Sequence, residues 1–335
     1  MKRNFRIALV GCGSISRNHL AALAAMENVN IVALCDIKRE RAELRATELK
    51  LQCAIYDDYE TMLTSENLDA VHITTPHYLH APMAKLALLK NINVFLEKPM
   101  CISTDEIDDL LKTEEKSSGR ISVCFQNRYN PATIAAQKIA DEDGGVISAY
   151  GTVIWERNEK YYTDSGWRGA YATEGGGVMI NQAIHTIDLL CQFLGTPTSV
   201  CATKANHHLK GIIEVEDTCE GVISFESGKE ACFYATTAFK GYNSTSVFLL
   251  TKNHRIEIRD NRLYVDSEPI LLGSENETYL TKACYGNSHA TLIERFYSAI
   301  EDGTDMPVTL ESASYALRVL LAAYEFNDQK IDVFK

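Results

Sequence analysis

The sequence predicts two successive architectures. The first is an α/β part with a doubly wound parallel sheet, and the second an α+β part with an open, mostly antiparallel sheet. Three observations predict this. Strand-like and helix-like segments alternate over residues 1–126, strands then follow one another with few helices between, and 335 residues exceed one ordinary core. The expected domains are therefore 1–126 and 127–335.

In the first part, Phe5–Val10 is a short apolar run that stops at Gly11. Ile15–Met26 has helical periodicity, and Asn30–Cys35 is a β-branched run ending at Asp36. Helices follow at Lys38–Lys50, His80–Lys90 and Thr104–Lys116, and strands at Cys53–Tyr56, Ala70–Ile73, Asn93–Leu96 and Ser122–Phe125. In the second part, alternating runs at Val146–Trp155, Ser199–Ala205, Thr218–Ser224, Glu230–Thr237, Ser246–Leu250, Arg255–Arg259 and Asn261–Val265 read as strands. Helices are expected at Gly177–Phe193, Ser288–Glu301 and Leu310–Asn327.

Composition narrows the function. The net charge of −12 disfavours nucleic acid as a partner. No apolar run is long enough for a membrane span, and no secretion signal heads the sequence, so a cytoplasmic protein is expected. The 10 cysteines contain no C-x-x-C pair and read as reduced, and no metal is expected.

Gly11-Cys12-Gly13-Ser14-Ile15-Ser16 lies between the first strand and the first helix. It follows the dinucleotide fingerprint G-x-G-x-x-G except that Ser16 stands last. Gly11 permits the tight turn, and Gly13 lets the backbone approach a pyrophosphate at the helix N-terminus. Asp36 lies 20 residues beyond Ser16, where a carboxylate binds the adenosine ribose and disfavours a 2′-phosphate. A Rossmann domain that prefers NAD to NADP is expected.

Three further places carry chemistry. Glu97-Lys98-Pro99 follows the fifth strand, where ligands of such sheets bind. Lys98 there can polarise a hydroxyl or carbonyl oxygen, and Pro99 is a candidate for a cis peptide. The glycines 175–177 lead into an apolar helix on which Asn181, His185 and Asp188 fall at i, i+4 and i+7, a polar stripe with His185 suited to general-base work. Trp167-Arg168 is placed to stack on a ring and hold an anion. His289 is a weaker candidate, and His207-His208 reads as loop.

Together these features resemble the glucose–fructose oxidoreductase / inositol dehydrogenase (Gfo/Idh/MocA) family of NAD(P)-dependent sugar oxidoreductases, over almost the whole chain. The residues carrying the resemblance are the Gly11–Ser16 loop, Thr75-Pro76-His77-x-x-His80, Glu97-Lys98-Pro99 and the glycine-led helix with His185. The resemblance implies a homodimer or homotetramer formed through one face of the second sheet, with Lys98 and His185 as the catalytic pair. It implies a cofactor site of Gly11, Gly13, Ser14, Ile15, Asp36, Thr74, Thr75, Pro76, His77, His80, Glu97 and Lys98, with Arg128 and Trp167 near the nicotinamide. Asn181, Asp188, Arg168 and Tyr285 are the substrate-binding candidates. Many relatives carry Asp four residues before the histidine. Asn181 stands there in this chain and can only hydrogen-bond.

The expected reaction is hydride transfer between NAD and a secondary hydroxyl of a sugar, glycoside, sugar nucleotide or inositol. Similarity around Trp167–Gly169 and Asn181–His185 points toward C3 of a hexopyranoside or UDP-hexuronate. His185 would remove the hydroxyl proton, oriented by Asp188, and Lys98 would stabilise the alkoxide. Two rivals stay open: a non-catalytic NAD-binding sensor, and an NAD-dependent glycosidase of the same fold.

Overall fold

The computed structural model of the chain describes residues 3–273, 286–325 and 330–334. The chain divides into two compact units, Met1–Phe125 with His289–Ala313, and Gln126–Ser288 with Ser314–Lys335.

In the first unit the elements alternate: β1 (Phe5–Val10), α1 (Ser16–Ala24), β2 (Val29–Cys35), α2 (Arg39–Leu49), β3 (Ala54–Tyr56), α3 (Tyr59–Ser65), β4 (Ala70–Ile73), α4 (His80–Leu89), β5 (Asn93–Leu96), α5 (Thr104–Glu114) and β6 (Ile121–Val123). The strands form one parallel sheet in the order β3-β2-β1-β4-β5-β6. The order reverses between β1 and β4, which creates a crevice at their carboxyl ends. Ile7, Ala8, Leu9, Val71, Ile73, Val94, Phe95 and Leu96 are fully buried, so the central strands are covered on both faces and are apolar there apart from His72. The sequence reading did not foresee α3. Its start is fixed by Asp58, whose side chain accepts the Thr61 N–H.

The next elements are α6 (Pro131–Glu142), β7 (Ser148–Ile154), α7 (Glu159–Thr163), α8 (Tyr171–Glu174), α9 (Ile184–Leu194), β8 (Pro197–Ala205), β9 (Thr218–Phe225), β10 (Glu230–Thr236), β11 (Ser244–Leu250), β12 (Arg255–Arg259), β13 (Arg262–Val265) and β14 (Glu268–Ile270). Then come α10 (His289–Asp302), α11 (Leu310–Glu325) and β15 (Lys330–Asp332). The second unit holds a nine-stranded sheet, β14-β13-β12-β11-β7-β10-β9-β8-β15, antiparallel except where β7 runs beside β10. The unforeseen helix α6 begins at Pro131, whose fixed φ and missing N–H suit a first helical position.

Helix α9 covers one face of this sheet. It crosses β7 at Gly151, where a Cβ would lie 2.4 Å from Thr186 Cγ2. Ala149 and Val153 share that buried face, whereas Tyr150 turns to the other side and stacks on Phe248 at 4.2 Å.

The division of the chain differs from the expected boundary in one respect. Residues 289–313 cluster with the first unit rather than the second. The cause is packing: α10 buries Leu292, Ile293, Phe296 and Tyr297, lies against α1, and sends the Tyr297 hydroxyl to His72 Nε2 at 2.9 Å. Arg120 adds a bond from Nη2 to the Ala299 carbonyl at 2.8 Å.

No helix among the described residues is long and apolar enough to cross a membrane. The nine described cysteines are all free thiols, and Cys284 lies outside the described residues.

Tyr297→Phe leaves the fully buried His72 without its hydroxyl partner. It should cost about 1–3 kcal/mol and lower the melting temperature. Circular dichroism during heating checks this, and an unchanged midpoint would show that the bond contributes nothing.

Candidate active site

The turn from β1 into α1 builds a cradle. Gly11 has φ +90°, and a Cβ on it would lie 2.7 Å from the Thr74–Thr75 backbone, so only glycine fits. The Thr74 hydroxyl fastens that approach by donating to the Val10 carbonyl at 3.0 Å and the Gly11 carbonyl at 2.6 Å. A Cβ on Gly13 would meet nothing within 4 Å, so this residue borders open space. Ser16, in place of a third glycine, is buried and turns its hydroxyl back to the Gly13 carbonyl at 2.7 Å. No side chain caps the start of α1. Its N–H groups there suit an anion. Asp36, at the end of β2, accepts the Cys12 and Lys38 N–H groups, each at 2.8 Å.

The Lys98 segment rests on a buried polar chain. Glu97 Oε1 faces His19 Nε2 at 2.8 Å, His19 Nδ1 faces His72 Nδ1 at 3.0 Å, and His72 Nε2 faces the Tyr297 hydroxyl at 2.9 Å. With neutral rings one arrangement satisfies every atom. Tyr297 donates to His72, His72 to His19, and His19 to the carboxylate. Burial alone would raise the Glu97 carboxyl. The hydrogen bond from His19 outweighs it, with Lys98 nearby adding to the effect, and holds Glu97 well below the usual carboxylate range. Burial pushes His72 far down, and it lowers His289 to about 4. Glu97 Oε2 also accepts the Lys98 N–H at 3.3 Å. The Lys98–Pro99 peptide is cis. His80 sits between the carbonyls of Pro99 (Nδ1, 2.6 Å) and Thr75 (Nε2, 2.8 Å), tying the lysine segment to the turn after β4. Pro76 precedes the 3₁₀ turn His77–Leu79, and His77 lies 5.8 Å ring to ring from His80. The ligand atoms of His19, Glu97 and Cys124 lie within 4.8 Å of one another, a spacing a metal could use.

In the second unit, the segment bearing His185 begins with a π-helical turn, Met179–Ala183, and continues as α9. The glycines before it answer to close neighbours. A Cβ on Gly177 would lie 1.9 Å from the Glu216 carbonyl oxygen, and one on Gly176 would lie 2.1 Å from the Tyr324 hydroxyl. The Glu216 carboxylate accepts the Gly177 and Met179 N–H groups, each at 3.0 Å, and the Tyr324 hydroxyl at 2.9 Å. Asn181 Nδ2 donates to the Tyr161 hydroxyl at 3.2 Å and to Glu174. Arg168 lies over the Trp167 and Tyr161 rings, 4.5 and 4.6 Å from their centroids.

Comparison with known proteins decides the family. The family described as "Oxidoreductase family, NAD-binding Rossmann fold" (GFO_IDH_MocA) matches residues 5–125, and the "GFO/IDH/MocA C-terminal domain" matches residues 135–259. The chain belongs to this family. The D-xylose 1-dehydrogenase (NADP(+)) 2 of Haloferax volcanii is 27% identical over 320 residues, 91% of this chain and 92% of that one. The inositol 2-dehydrogenase of Rhizobium meliloti is 26% identical over 331 residues, 95% of each chain. The WlbA dehydrogenase of Bordetella pertussis, solved in complex with NADH and UDP-GlcNAcA, is 25% identical with a TM-score of 0.87, covering 99% of this chain and 98% of that one.

A member of this family binds NAD on its Rossmann unit, and the residues present fit it. The open space at Gly13 and the uncapped start of α1 are what a pyrophosphate requires.

The structure departs from the sequence reading at Arg128 and Asp188. Arg128 Nε and Nη2 donate to the two carboxylate oxygens of Asp188 at 2.9 and 2.6 Å, and Asp188 is fully buried. Asp188 is thus the bidentate ion-pair partner of Arg128, a pairing the sequence did not announce. The expected stripe is accordingly split: Asn181 serves the Tyr161–Glu174 network and Asp188 the arginine. Tyr285 lies outside the described residues. His208, read as plain loop, holds Asp217 at 2.8 Å and the Arg157 carbonyl at 3.0 Å. The sequence reading missed His19, His72, Tyr161, Glu174 and Glu216. A buried position for an ionisable residue was the available signal, visible in the histidine within the apolar run Ala70–Ile73.

Burial pushes the Glu216 carboxyl up to about 7 against its hydrogen bonds. The folded protein therefore holds a proton there that the unfolded chain releases near the ordinary carboxylate pKa of about 4.3. This contribution makes stability fall as pH rises from about 4.3 to about 7. Glu216→Gln removes that slope. Its melting temperature minus that of wild type should become more positive between pH 5 and pH 7.5, and a constant difference would contradict the assignment.

Proposed function

We propose that the chain is an NAD-dependent dehydrogenase acting on a secondary hydroxyl of a sugar-type substrate, with Lys98 and His185 as its catalytic pair. The Gly11–Ser16 cradle of the first unit carries the reading, because a tight turn at Gly11, open space at Gly13 and an uncapped start of α1 together are what a dinucleotide's pyrophosphate requires. The relatives named as xylose and inositol dehydrogenases, and a WlbA dehydrogenase solved with a sugar nucleotide, support the substrate class.

Gly13, Ser14 and Ile15 would hold the pyrophosphate through backbone N–H groups, and Asp36 the adenosine ribose. Thr74, Thr75, Pro76, His77 and His80 form the adjoining turn. Bound NAD supplies the hydride acceptor. His185 takes the hydroxyl proton. Lys98, fixed by Glu97 below it and by the Pro99–His80 bond, stabilises the alkoxide oxygen. Asn181 orients the sugar by hydrogen bonding. The finer assignment is oxidation at C3 of a hexopyranoside or UDP-hexuronate, in a cytoplasmic homodimer or homotetramer. The open sheet face with Tyr150 and Leu250, each 45% exposed, supports the assembly.

The test follows nicotinamide reduction against inositols, aldoses, glycosides and UDP-sugars. One class should be oxidised. Lys98→Ala and His185→Ala should each lower kcat by about 10²–10⁴-fold while NAD affinity is kept. Near-full activity in both variants would overturn the pair. Tight NAD binding without turnover of any sugar would favour a sensor, and glycoside cleavage without net NADH a glycosidase.

A further inference from the structure

The second unit carries two arginines on one aromatic ring. Arg157 lies over Tyr161 at 4.4 Å from the ring centroid and Arg168 at 4.6 Å. Each also rests on a tryptophan, Arg157 on Trp155 at 5.2 Å and Arg168 on Trp167 at 4.5 Å. Neither arginine has an ion-pair partner among the described residues. Among the described residues, the Nε atoms of both are buried without a hydrogen-bond acceptor. Arg157 Nη1 bonds the Glu156 carbonyl at 3.0 Å, and no hydrogen bond among the described residues engages the Arg168 guanidinium.

Two guanidinium charges brought this close to one ring repel each other, and burying them costs solvation. The carboxyl beside them, Glu174, is buried and accepts the Gly169 N–H at 2.6 Å and the Asn181 amide. Burial raises it to about 7 even though these hydrogen bonds and the charge of Arg168 pull it down, so it offsets the two arginines only in part. The chain as a whole is acidic, at −12, so this is a local excess of positive charge. Stacking fixes the guanidinium planes while leaving N–H edges available, the form in which arginine binds carboxylate or phosphate in a two-point fork. The position is held from two sides. His208 bonds the Arg157 carbonyl, and Tyr161 between the arginines receives a hydrogen bond from Asn181, four residues before His185.

We infer that Arg157, Tyr161 and Arg168 form an anion clamp, and that the sugar substrate carries a carboxylate or phosphate group that this clamp binds. The inference rests on the dehydrogenase reading and sharpens it: anionic sugars are substrates in preference to neutral polyols.

The chain's two tryptophans, Trp155 and Trp167, both stand against the clamp, so their emission reports it directly. The full-length protein is titrated with UDP-glucuronate, glucuronate, UDP and glucose. UDP-glucuronate should change the emission saturably, more tightly than glucose. Response to glucuronate identifies a carboxylate as the bound group, and response to UDP a diphosphate. Arg157→Gln and Arg168→Gln should each weaken binding about 10- to 100-fold, with Arg168→Lys between them and wild type. Binding by wild type should also weaken with added salt, which decides the matter if a glutamine variant fails to fold. Equal affinity for glucose and the anions, or affinities unmoved by salt and by both substitutions, would overturn the clamp. Nicotinamide reduction is measured separately. Saturable anion binding without reduction of NAD by any sugar refutes the dehydrogenase and leaves the clamp. Reduction by neutral polyols alone, with no anion binding, refutes the clamp and leaves the dehydrogenase.

Discussion

The Glu97 carboxylate is buried yet held ionised, and much of the first unit is arranged to make that tolerable. An unpaired charge in that position would cost several kcal/mol. Its partners come from distant parts of the chain: His19 from α1, then His72 from β4, then Tyr297 from α10. The chain therefore fastens the first helix, a central strand and a late helix to the residue just before Lys98. It also explains why α10 belongs to the first unit although the 163 residues of 126–288 separate it from Phe125 in sequence.

The second unit repeats the device with other residues. Glu216 is buried beneath the start of the segment that bears His185, and it gathers two backbone N–H groups and the Tyr324 hydroxyl. Gly176 and Gly177 are glycines because Tyr324 and Glu216 come too close for a Cβ. In both units, then, a buried acidic side chain sets the backbone leading to a residue of the proposed catalytic pair. Such networks trade stability for position, since a satisfied buried charge is worth little net energy but is costly to disturb.

Local patterns in the sequence were enough for the parallel sheet, because strand and helix periods alternate there and each element is short. They were enough for the Gly11–Ser16 turn and for the cis Lys98–Pro99 peptide after the fifth strand. They failed wherever a partner had to be chosen across the chain. Asp188 looked available beside His185, but Arg128, 60 residues earlier, takes both its oxygens. His19 lies 78 residues before Glu97, and nothing nearby in sequence announces that partner. The helices α3 and α6 were hidden because each begins from a cap or a proline rather than a long apolar stripe. Arg157 stands four residues before Tyr161 in sequence, but its place over that ring came only from the fold.

Transfer of a carbon-bound hydrogen to NAD under the control of Lys98 and His185 is tested most directly by isotope tracing. A sugar that reduces NAD is prepared with deuterium on its carbinol carbons, turned over by the wild-type protein, and the reduced cofactor is weighed by mass spectrometry. Direct hydride transfer predicts reduced nicotinamide one mass unit heavier, in step with the oxidised sugar formed. Reduced cofactor without the label, or label returned to the sugar with no net reduction, would contradict it.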